Sequence, residues 1–323
     1  MKWLLVALGF CFTLIQPQAM AQTPGDALSW LGRMAAAGQR LNYSGTFIYQ
    51  SGKSFETSRV VHMMDAAGEH ERVEVLDGSP REVVRSSSEV RCILPDQRTV
   101  IIDRAGGRRA FPARLPSSFG GIAENYRIRK GEVGRIAGME AQQIILEPKD
   151  EYRFGYQLWA EIQSGLLLKS RTLDDRGEII EQFAFSDVKI GGDIAMEAVR
   201  PRLAREGDWK VVHTNGVEIR REESGWGVQA PIAGFSLMSI VRRPLGRDHG
   251  DALHLVYSDG LAAISVFIEP ASQANGRLAA GQLSTGAINI YKRMVGPHLV
   301  TALGEVPLRT VQRLADAMEP VAR

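Results

Sequence analysis

The feature that most constrains this chain is a two-residue alternation of apolar and polar side chains from Asn42 to about Val188. In the first predicted strand, Tyr43, Phe47 and Tyr49 fall on one face. Groups of glycine, proline, aspartate and serine interrupt the alternation at short intervals, and no helical periodicity lies between them. Strands at this spacing predict an antiparallel meander rather than βαβ units. A sheet of this length must curl, so we expect a barrel or a half-barrel.

Helices are predicted on either side of the β-rich region. The first has Thr23 as its N-cap, Pro24 at its first helical position and Gly38 as its end. The second begins at Pro307, near the end of the chain. Each helix has an apolar face at helical spacing. The faces consist of Leu28, Leu31, Met34 and Ala35 in the first helix, and Leu308, Val311, Leu314 and Met318 in the second.

The alternation is lost between residues 191 and 208, where Gly191-Gly192 is followed by Pro201 among arginines. This composition predicts a linker between two domains. A second β-rich unit follows, with a tight hairpin turn at Ser258-Asp259-Gly260. The predicted fold class is α+β with mostly antiparallel strands. The predicted units are a large β domain over residues 22–190, a linker over 191–208, and a smaller β domain with a terminal helix over 209–319.

The first 21 residues have the anatomy of a secretory signal peptide. Lys2 precedes an apolar run from Leu4 to Ile15, and Ala19-Met20-Ala21 matches the A-x-A cleavage pattern. The apolar run is too short to span a bilayer, because a membrane helix needs about 20 apolar residues. We therefore expect cleavage after Ala21 and export from the cytoplasm.

Export bears on the cysteines, of which the chain has two. Cys11 lies in the predicted signal peptide, so Cys92 is the single thiol of the mature chain. One thiol cannot form an internal disulfide, and burial of apolar surface must therefore stabilise the fold. Cys92 lies in a strand-like run with no activating group nearby in sequence, which favours a buried inert thiol over a catalytic or intermolecular one.

Composition and motifs exclude several functional classes. The chain has 323 residues, of which 44% are hydrophobic and 24% charged, as in an ordinary globular protein. Its 39 Lys and Arg against 37 Asp and Glu indicate no general attraction to nucleic acid. The sequence contains no zinc-binding spacing, phosphate-binding loop, dinucleotide fingerprint or serine nucleophile motif. We expect no catalytic residue, cofactor or metal, although a pair of glycosidase carboxylates would meet in space and leave no local motif.

Aromatic residues form the first candidate binding site. Pairs of them alternate onto one face in three predicted strands, and the mouth of an open barrel is a natural apolar pocket. We therefore predict that this face binds acyl chains. The alternative is that the same rings form an ordinary core between sheet and helix. The six residues are Phe47, Tyr49, Phe154, Tyr156, Phe183 and Phe185.

A basic loop forms the second candidate site. It lies in a predicted irregular insertion over residues 105–125, and no acidic residue occurs between Asp103 and Glu124. The planar guanidinium group of arginine suits phosphate groups and acidic partners. The alternative is that the loop is merely a solvated basic surface. The four residues are Arg104, Arg108, Arg109 and Arg114.

Longer strings of sequence resemble the MucB/RseB family, the periplasmic regulators of envelope-stress sigma factors. The similar strings occur in the family's order and are distributed over the whole predicted mature chain. One departure is Leu167, where the family pattern has proline in a turn. The strings are Tyr43–Tyr49, Arg153–Trp159, Ser164–Ser170, Tyr257–Ala262, Ser265–Pro270 and Gly304–Pro307.

The resemblance implies a fold and a function. The implied fold is a large N-terminal domain with the half-open β-barrel of lipoprotein carriers, joined to a smaller C-terminal β domain. The implied protein is a periplasmic negative regulator that binds the periplasmic part of a membrane-anchored anti-sigma factor and shields it from proteolysis. Lipopolysaccharide or the acyl chains of lipoproteins would displace it. No binding residue is implied, because the family's sites are not short motifs.

The same residues leave other functions open. A periplasmic carrier of lipoproteins or lipids would use the same barrel, and it would have little need of a second domain. A glycosidase would need two carboxylates facing each other across a groove. A homo-oligomer is also compatible with the sequence.

Overall fold

The computed structural model describes residues 24–104, 120–203, 207, 209–244, 251–271 and 281–321. The predicted signal peptide, residues 1–21, lies outside these ranges. Within them, the chain forms a 12-stranded sheet, a 7-stranded sheet and a 2-stranded ribbon, together with short helices. Across the described ranges, every helix is too short or too polar to cross a membrane.

The larger sheet contains the strands of the predicted meander. In chain order they are β1 Tyr43–Ser51, β2 Ser54–Asp65, β3 Gly68–Val75, β4 Glu82–Arg85, β5 Glu89–Leu94, β6 Thr99–Arg104, β7 Tyr126–Ile136, β8 Met139–Pro148, β9 Gly155–Glu161, β10 Leu167–Leu173, β11 Ile179–Ile190 and β12 Lys210–His213. Their spatial order is β12-β6-β5-β4-β3-β2-β1-β11-β10-β9-β8-β7, so the sheet is open rather than closed. All neighbours are antiparallel except β12 and β6. The predicted class, a mostly antiparallel and half-open barrel, is confirmed.

Strand β1 joins two meanders, because it pairs with β2 on one side and with β11 on the other. Gly45 permits the second pairing, since a Cβ atom there would collide with the carbonyl oxygen of Asp187. A β-bulge follows directly, between Thr46 and Phe47. Bulges bend a strand and increase its twist, so this position contributes to the curvature of the half-barrel.

Helix α1 (Pro24–Arg40) covers the concave face of the larger sheet. Its Trp30 and Leu31 side chains are buried in one cluster with residues of the sheet, including Phe47. The predicted apolar face is confirmed. The helix continues past Gly38, the predicted end, to Arg40.

The smaller sheet has seven strands and a separate core. Its strands are β13 Val217–Glu218, β15 Ser236–Pro244, β16 Asp251–Ser258, β17 Ala263–Pro270, β18 Gly281–Thr285, β19 Ile288–Val295 and β20 His298–Gly304. Their spatial order is β13-β15-β16-β17-β20-β19-β18. The ribbon pairs β14 Trp226–Val228 with β21 Met318–Pro320. The other helices are α2 Gly120–Asn125, α3 Arg221–Ser224 and α4 Leu308–Asp316.

Three further local predictions differ from the structure. Residues 120–125, expected to be irregular, form α2, because Ile122 is buried in the core next to Tyr126. Pro307 precedes α4 as its N-cap residue, whereas the sequence placed it at the first helical position. Met318 lies in β21 beyond the helix, although it is buried in the same core as the apolar face of α4.

The predicted linker packs against the convex face of the larger sheet. Its short 3-10 helix, Met196–Val199, buries Val199 against Val61 and Met63 of β2. Farther along, β12 extends the larger sheet by pairing with β6. The sequence assigned the residues of β12 to the smaller domain, because alternation alone does not identify the neighbour of a strand.

A buried ion pair attaches this segment to the sheet. Arg72 Nη1 lies 3.2 Å from the Glu82 carboxylate, and both side chains are almost entirely buried. Arg72 Nε also donates a hydrogen bond to the Ala198 carbonyl oxygen at 2.7 Å. The backbone N–H groups of Arg202 and Leu203 donate to Glu82 at 2.9 and 3.1 Å. Charged residues of the sheet therefore fix the path of the linker.

Candidate functional site

A cavity of about 220 Å³ opens on the concave face of strands β1 to β4. Phe47 lies opposite Ser58, which lies opposite Val75, so the wall residues share one face of the sheet. The volume is below the roughly 300–1,000 Å³ of typical small-molecule pockets, and it suits one slender apolar chain. The lining residues are Phe47, Tyr49, Glu56, Ser58, Val73, Val75, Arg81 and Val83.

A charged pair lies at the edge of the cavity. Arg81 Nη2 donates to both carboxylate oxygens of Glu56 at 2.9 Å. Both side chains are partly exposed, with 45% and 33% of their surface accessible. Exposed ion pairs contribute about 1 kcal/mol or less, so a ligand entering the cavity could displace this pair at little cost.

The predicted aromatic residues are divided between two places. Phe47, Phe183 and Phe185 contact one another edge to face, with ring centroids 5.3 to 6.2 Å apart. All three are buried in the core beneath α1. Of the predicted set, Phe47 and Tyr49 also line the cavity. The structure thus joins an ordinary aromatic core to an apolar cavity along one strand.

The other two predicted aromatic residues lie elsewhere. Tyr156 packs beside Tyr126, with ring centroids 6.2 Å apart. Phe154 is buried in the segment before β9. Neither lines the cavity, because β9 is separated from β1 by β10 and β11 in the sheet. That all six residues bind acyl chains stays a prediction, and of the six only Phe47 and Tyr49 line this cavity.

A partly buried carboxyl group lies beside the cavity. The Tyr49 hydroxyl group donates a hydrogen bond to Glu181 of β11. Burial, together with the nearby charge of Glu305, raises the pKa of Glu181 to about 7. Burial and the Glu181 charge likewise raise the pKa of Tyr49. Glu305 follows β20, a strand of the smaller sheet, and precedes α4. Because Glu305 lies near Glu181 of the larger sheet, the two sheets meet at the edge of the cavity.

The junction between the two sheets is centred on a buried ion pair. Arg153 Nε, in the segment before β9, donates to Asp259 Oδ2 at 2.9 Å, and neither side chain is exposed. The Tyr126 hydroxyl group donates to the same carboxylate at 3.2 Å. Arg153 also bonds to the Ala233 carbonyl oxygen and lies 4.8 Å from the ring centroid of Phe235.

Helix α4 extends the junction. Thr310 Oγ1 donates to the Tyr152 carbonyl oxygen at 2.9 Å, and Arg313 Nη1 donates to the Tyr152 hydroxyl oxygen at 2.7 Å. Arg309 pairs with Glu151 at the surface. Residues 150–153 therefore contact both the turn of Asp259 and the terminal helix.

The sequence prediction missed the role of Asp259. Its Oδ1 atom accepts N–H groups from Leu261 and Ala262 at 2.9 and 2.8 Å, as the predicted turn requires. Its Oδ2 atom accepts from Arg153, which is 106 residues away in sequence. In the sequence, Arg153 and Asp259 each lie in a string that resembles the MucB/RseB family. Those strings give no sign that the two residues pair with each other.

The basic loop is largely outside the described residues. Arg104 ends β6 and is exposed, whereas Arg108, Arg109 and Arg114 lie in the range from 105 to 119 that is not described. The prediction that these four arginines bind phosphate or an acidic partner therefore stays a prediction.

The described residues contain no group of three or more His, Cys, Asp or Glu side chains placed to hold a metal ion. Cys92 of β5 forms no disulfide and is partly exposed. The sequence predicts a buried thiol. The Cys92 side chain is more exposed than predicted, because it lies opposite Val83, which lines the open cavity. It does not lie under the aromatic core.

Two family models match the chain. The MucB/RseB N-terminal domain matches residues 26–203, and the MucB/RseB C-terminal domain matches residues 220–319. The sigma factor AlgU regulatory protein MucB of Pseudomonas aeruginosa is 32% identical over 99% of this chain and 97% of its own. The sigma-E factor regulatory protein RseB of Haemophilus influenzae is 25% identical over 90% of both chains.

Solved structures agree with these matches. The crystal structure of MucB in complex with MucA(peri) is similar over 92% of this chain and 100% of that chain, with 29% identity and a TM-score of 0.69. The crystal structure of MucB is similar over 92% and 98%, with 27% identity and a TM-score of 0.67. On this evidence the chain belongs to the MucB/RseB family of sigma factor regulatory proteins.

Proposed function

We propose that this protein is a periplasmic negative regulator of an envelope-stress sigma factor. It binds the periplasmic part of a membrane-anchored anti-sigma factor, and the predicted signal peptide delivers it to that compartment. The observation that carries this proposal is the similarity, over 92% of the chain, to MucB solved in complex with MucA(peri). The protein acts by occupying its partner rather than by transforming a substrate.

Binding shields the anti-sigma factor from proteolysis, so the sigma factor stays sequestered. Lipopolysaccharide or a lipoprotein then displaces the regulator by placing an acyl chain in the concave cavity. Two features support this step. The cavity has apolar walls, and Tyr49 in its lining bonds to Glu181, which lies close to Glu305 of the smaller sheet. A ligand that moves Tyr49 would therefore disturb the junction.

The test is a binding and protection experiment on the mature chain. We expect a complex with the purified periplasmic segment of the anti-sigma factor, slower cleavage of that segment by its protease, and reversal of both effects by lipopolysaccharide. Failure of the chain to bind the segment would overturn the proposal.

A matched pair of variants tests the role of the cavity. Val83 lines the cavity, and its neighbour Val84 faces the opposite side of β4. Val83→Phe fills the cavity, so we expect it to retain anti-sigma binding and to lose the response to lipopolysaccharide. Val84→Phe should respond as the wild type does. Equal responses from both variants would exclude the cavity as the acyl site.

The cavity also favours a second candidate function, a carrier of lipoproteins or lipids. A carrier would accelerate the transfer of a fluorescent acylated peptide between two vesicle populations. A regulator would bind the peptide and leave the transfer rate unchanged, so a single transfer measurement separates the two functions.

A further inference from the structure

The convex face of the larger sheet carries two cations beside one tryptophan. Trp159 of β9 lies opposite Lys169 of β10, and Arg171 follows on the same face of β10. Lys169 Nζ lies 5.1 Å from the indole centroid, and Arg171 Cζ lies 5.4 Å from it. We name these three residues the Trp159 cluster.

The guanidinium group of Arg171 is oriented by a neighbouring strand. Its Nε atom donates a hydrogen bond to Gln182 Oε1 of β11 at 2.7 Å. Because Nε is engaged, the two terminal nitrogens form a fork that is available to an anion. Within the described ranges, no carboxylate lies within ion-pair distance of Arg171 or Lys169.

The two neighbouring cations of the cluster repel each other, and an anion would relieve that repulsion. Burial, together with the charge of Arg171, lowers the pKa of Lys169. Elsewhere on the same face, Arg129 is neutralised by Glu147 at 3.0 Å. Residues that lower stability in this way are frequently kept for function.

We propose that the Trp159 cluster binds the phosphate group of a water-soluble phosphate monoester, such as a sugar phosphate. A phosphate monoester carries close to two negative charges, which match one arginine and one lysine, whereas a carboxylate carries one. Gln157 lies opposite Arg171, and Gln143 lies opposite Trp159. These amide side chains can donate and accept hydrogen bonds, as the hydroxyl groups of a sugar require.

The site is independent of the proposed acyl site. On β11, Gln182 faces the Trp159 cluster, and the next residue, Phe183, faces the concave core. Successive residues of a strand point to opposite faces of the sheet. The sheet therefore separates the cluster from the cavity, and one amphiphile cannot place its chain in the cavity and its phosphate in the cluster.

The probe is glucose 6-phosphate, added to the mature full-length chain and followed by calorimetry and tryptophan fluorescence. We expect saturable binding, a fluorescence change that disappears in Trp159→Phe, and no binding of glucose. Lys169→Gln and Arg171→Gln should each weaken binding by about tenfold, the effect expected when a charge-assisted hydrogen bond is lost.

Arg59→Gln is the matched control, because Arg59 is an exposed cation on the convex face of β2. Unchanged affinity in this variant supports the proposal. Equal weakening in all three variants would show general charge attraction and overturn it. Absence of saturable binding would overturn it as well. Cluster-dependent binding to phosphatidic acid vesicles without binding to glucose 6-phosphate would assign the site to a lipid headgroup instead.

Discussion

Glu181 lies where the cavity meets the junction, and this position determines its charge state. Its pKa rises from 4.5 to about 7 because it is largely removed from water and feels the charge of Glu305. A carboxyl group with a raised pKa in the folded state binds its proton more tightly there than in the unfolded chain. Its contribution to stability is therefore complete below about pH 4.5 and is lost as the pH rises to about 7.

Glu181→Gln should remove this pH dependence, since the amide stays neutral and still accepts a hydrogen bond from Tyr49. We expect the variant to be more stable than the wild type above pH 7 by up to about 3 kcal/mol, with little difference in mild acid. Urea unfolding across the pH range measures the effect. Glu178→Gln, an exposed position on the same hairpin, is the control. An unchanged pH slope in Glu181→Gln would contradict the assignment.

A substitution at Gly45 tests whether β1 and β11 depend on their close approach at this residue. Gly45→Ala places a Cβ atom against the Asp187 carbonyl oxygen, so we expect a loss of about 2–4 kcal/mol in unfolding free energy. Gly32→Ala is the counterpart, because Gly32 lies in α1 with open space around it. It should stabilise the protein by about 0.5–1 kcal/mol. Equal effects of the two substitutions in urea unfolding would exclude the steric explanation.

At the scale of elements, the two-residue alternation predicted the strands, and turn chemistry predicted the hairpins. The central position of β1 was not predictable, because its pairing with β11 joins residues more than 100 positions apart and depends on Gly45. The path of the linker was also missed. Arg72 and Glu82 look like solvated strand residues in the sequence, and only the fold shows that they are buried and bonded to residues 198–203.

Glu82 therefore tests the attachment of the linker. Glu82→Gln removes the buried carboxylate partner of Arg72, leaves it only the partly exposed Glu74, and weakens the bonds to Arg202 and Leu203. Breaking a buried pair costs about 3–5 kcal/mol, so we expect lower stability and faster proteolysis within residues 194–203. Glu74→Gln is the control, because Glu74 also bonds to Arg72 and is 22% exposed. Similar cleavage in both variants would show that Glu82 does not hold the linker.

At the scale of the whole molecule, the candidate site depends on how the two sheets meet. The sequence predicted an aromatic acyl site, and the structure retains Phe47 and Tyr49 at a cavity while it separates Phe154 and Tyr156 from it. That outcome depends on strand order, which local patterns do not encode. The junction between the sheets could not be predicted from local patterns either, because Arg153 and Asp259 are 106 residues apart in sequence.

Arg153→Met tests whether this ion pair couples the two sheets. The substitution leaves Asp259 buried without its cation, next to Tyr126, so we expect a loss of about 3–5 kcal/mol. The Tyr126 hydroxyl group still reaches Asp259, and Leu261 still packs in the core of the larger sheet. Because the junction loses its buried charge pair, we expect the smaller sheet to unfold before the larger one. Urea unfolding combined with amide hydrogen exchange in both sheets measures the order of unfolding.

Arg309→Met is the control. It removes an ion pair of the same junction in which Arg309 is 48% exposed, so it should cost about 1 kcal/mol or less. The contrasting result is that both sheets unfold in one shared transition, at the same urea midpoint in both variants. That result would show that apolar packing couples the sheets and that the Arg153–Asp259 ion pair does not.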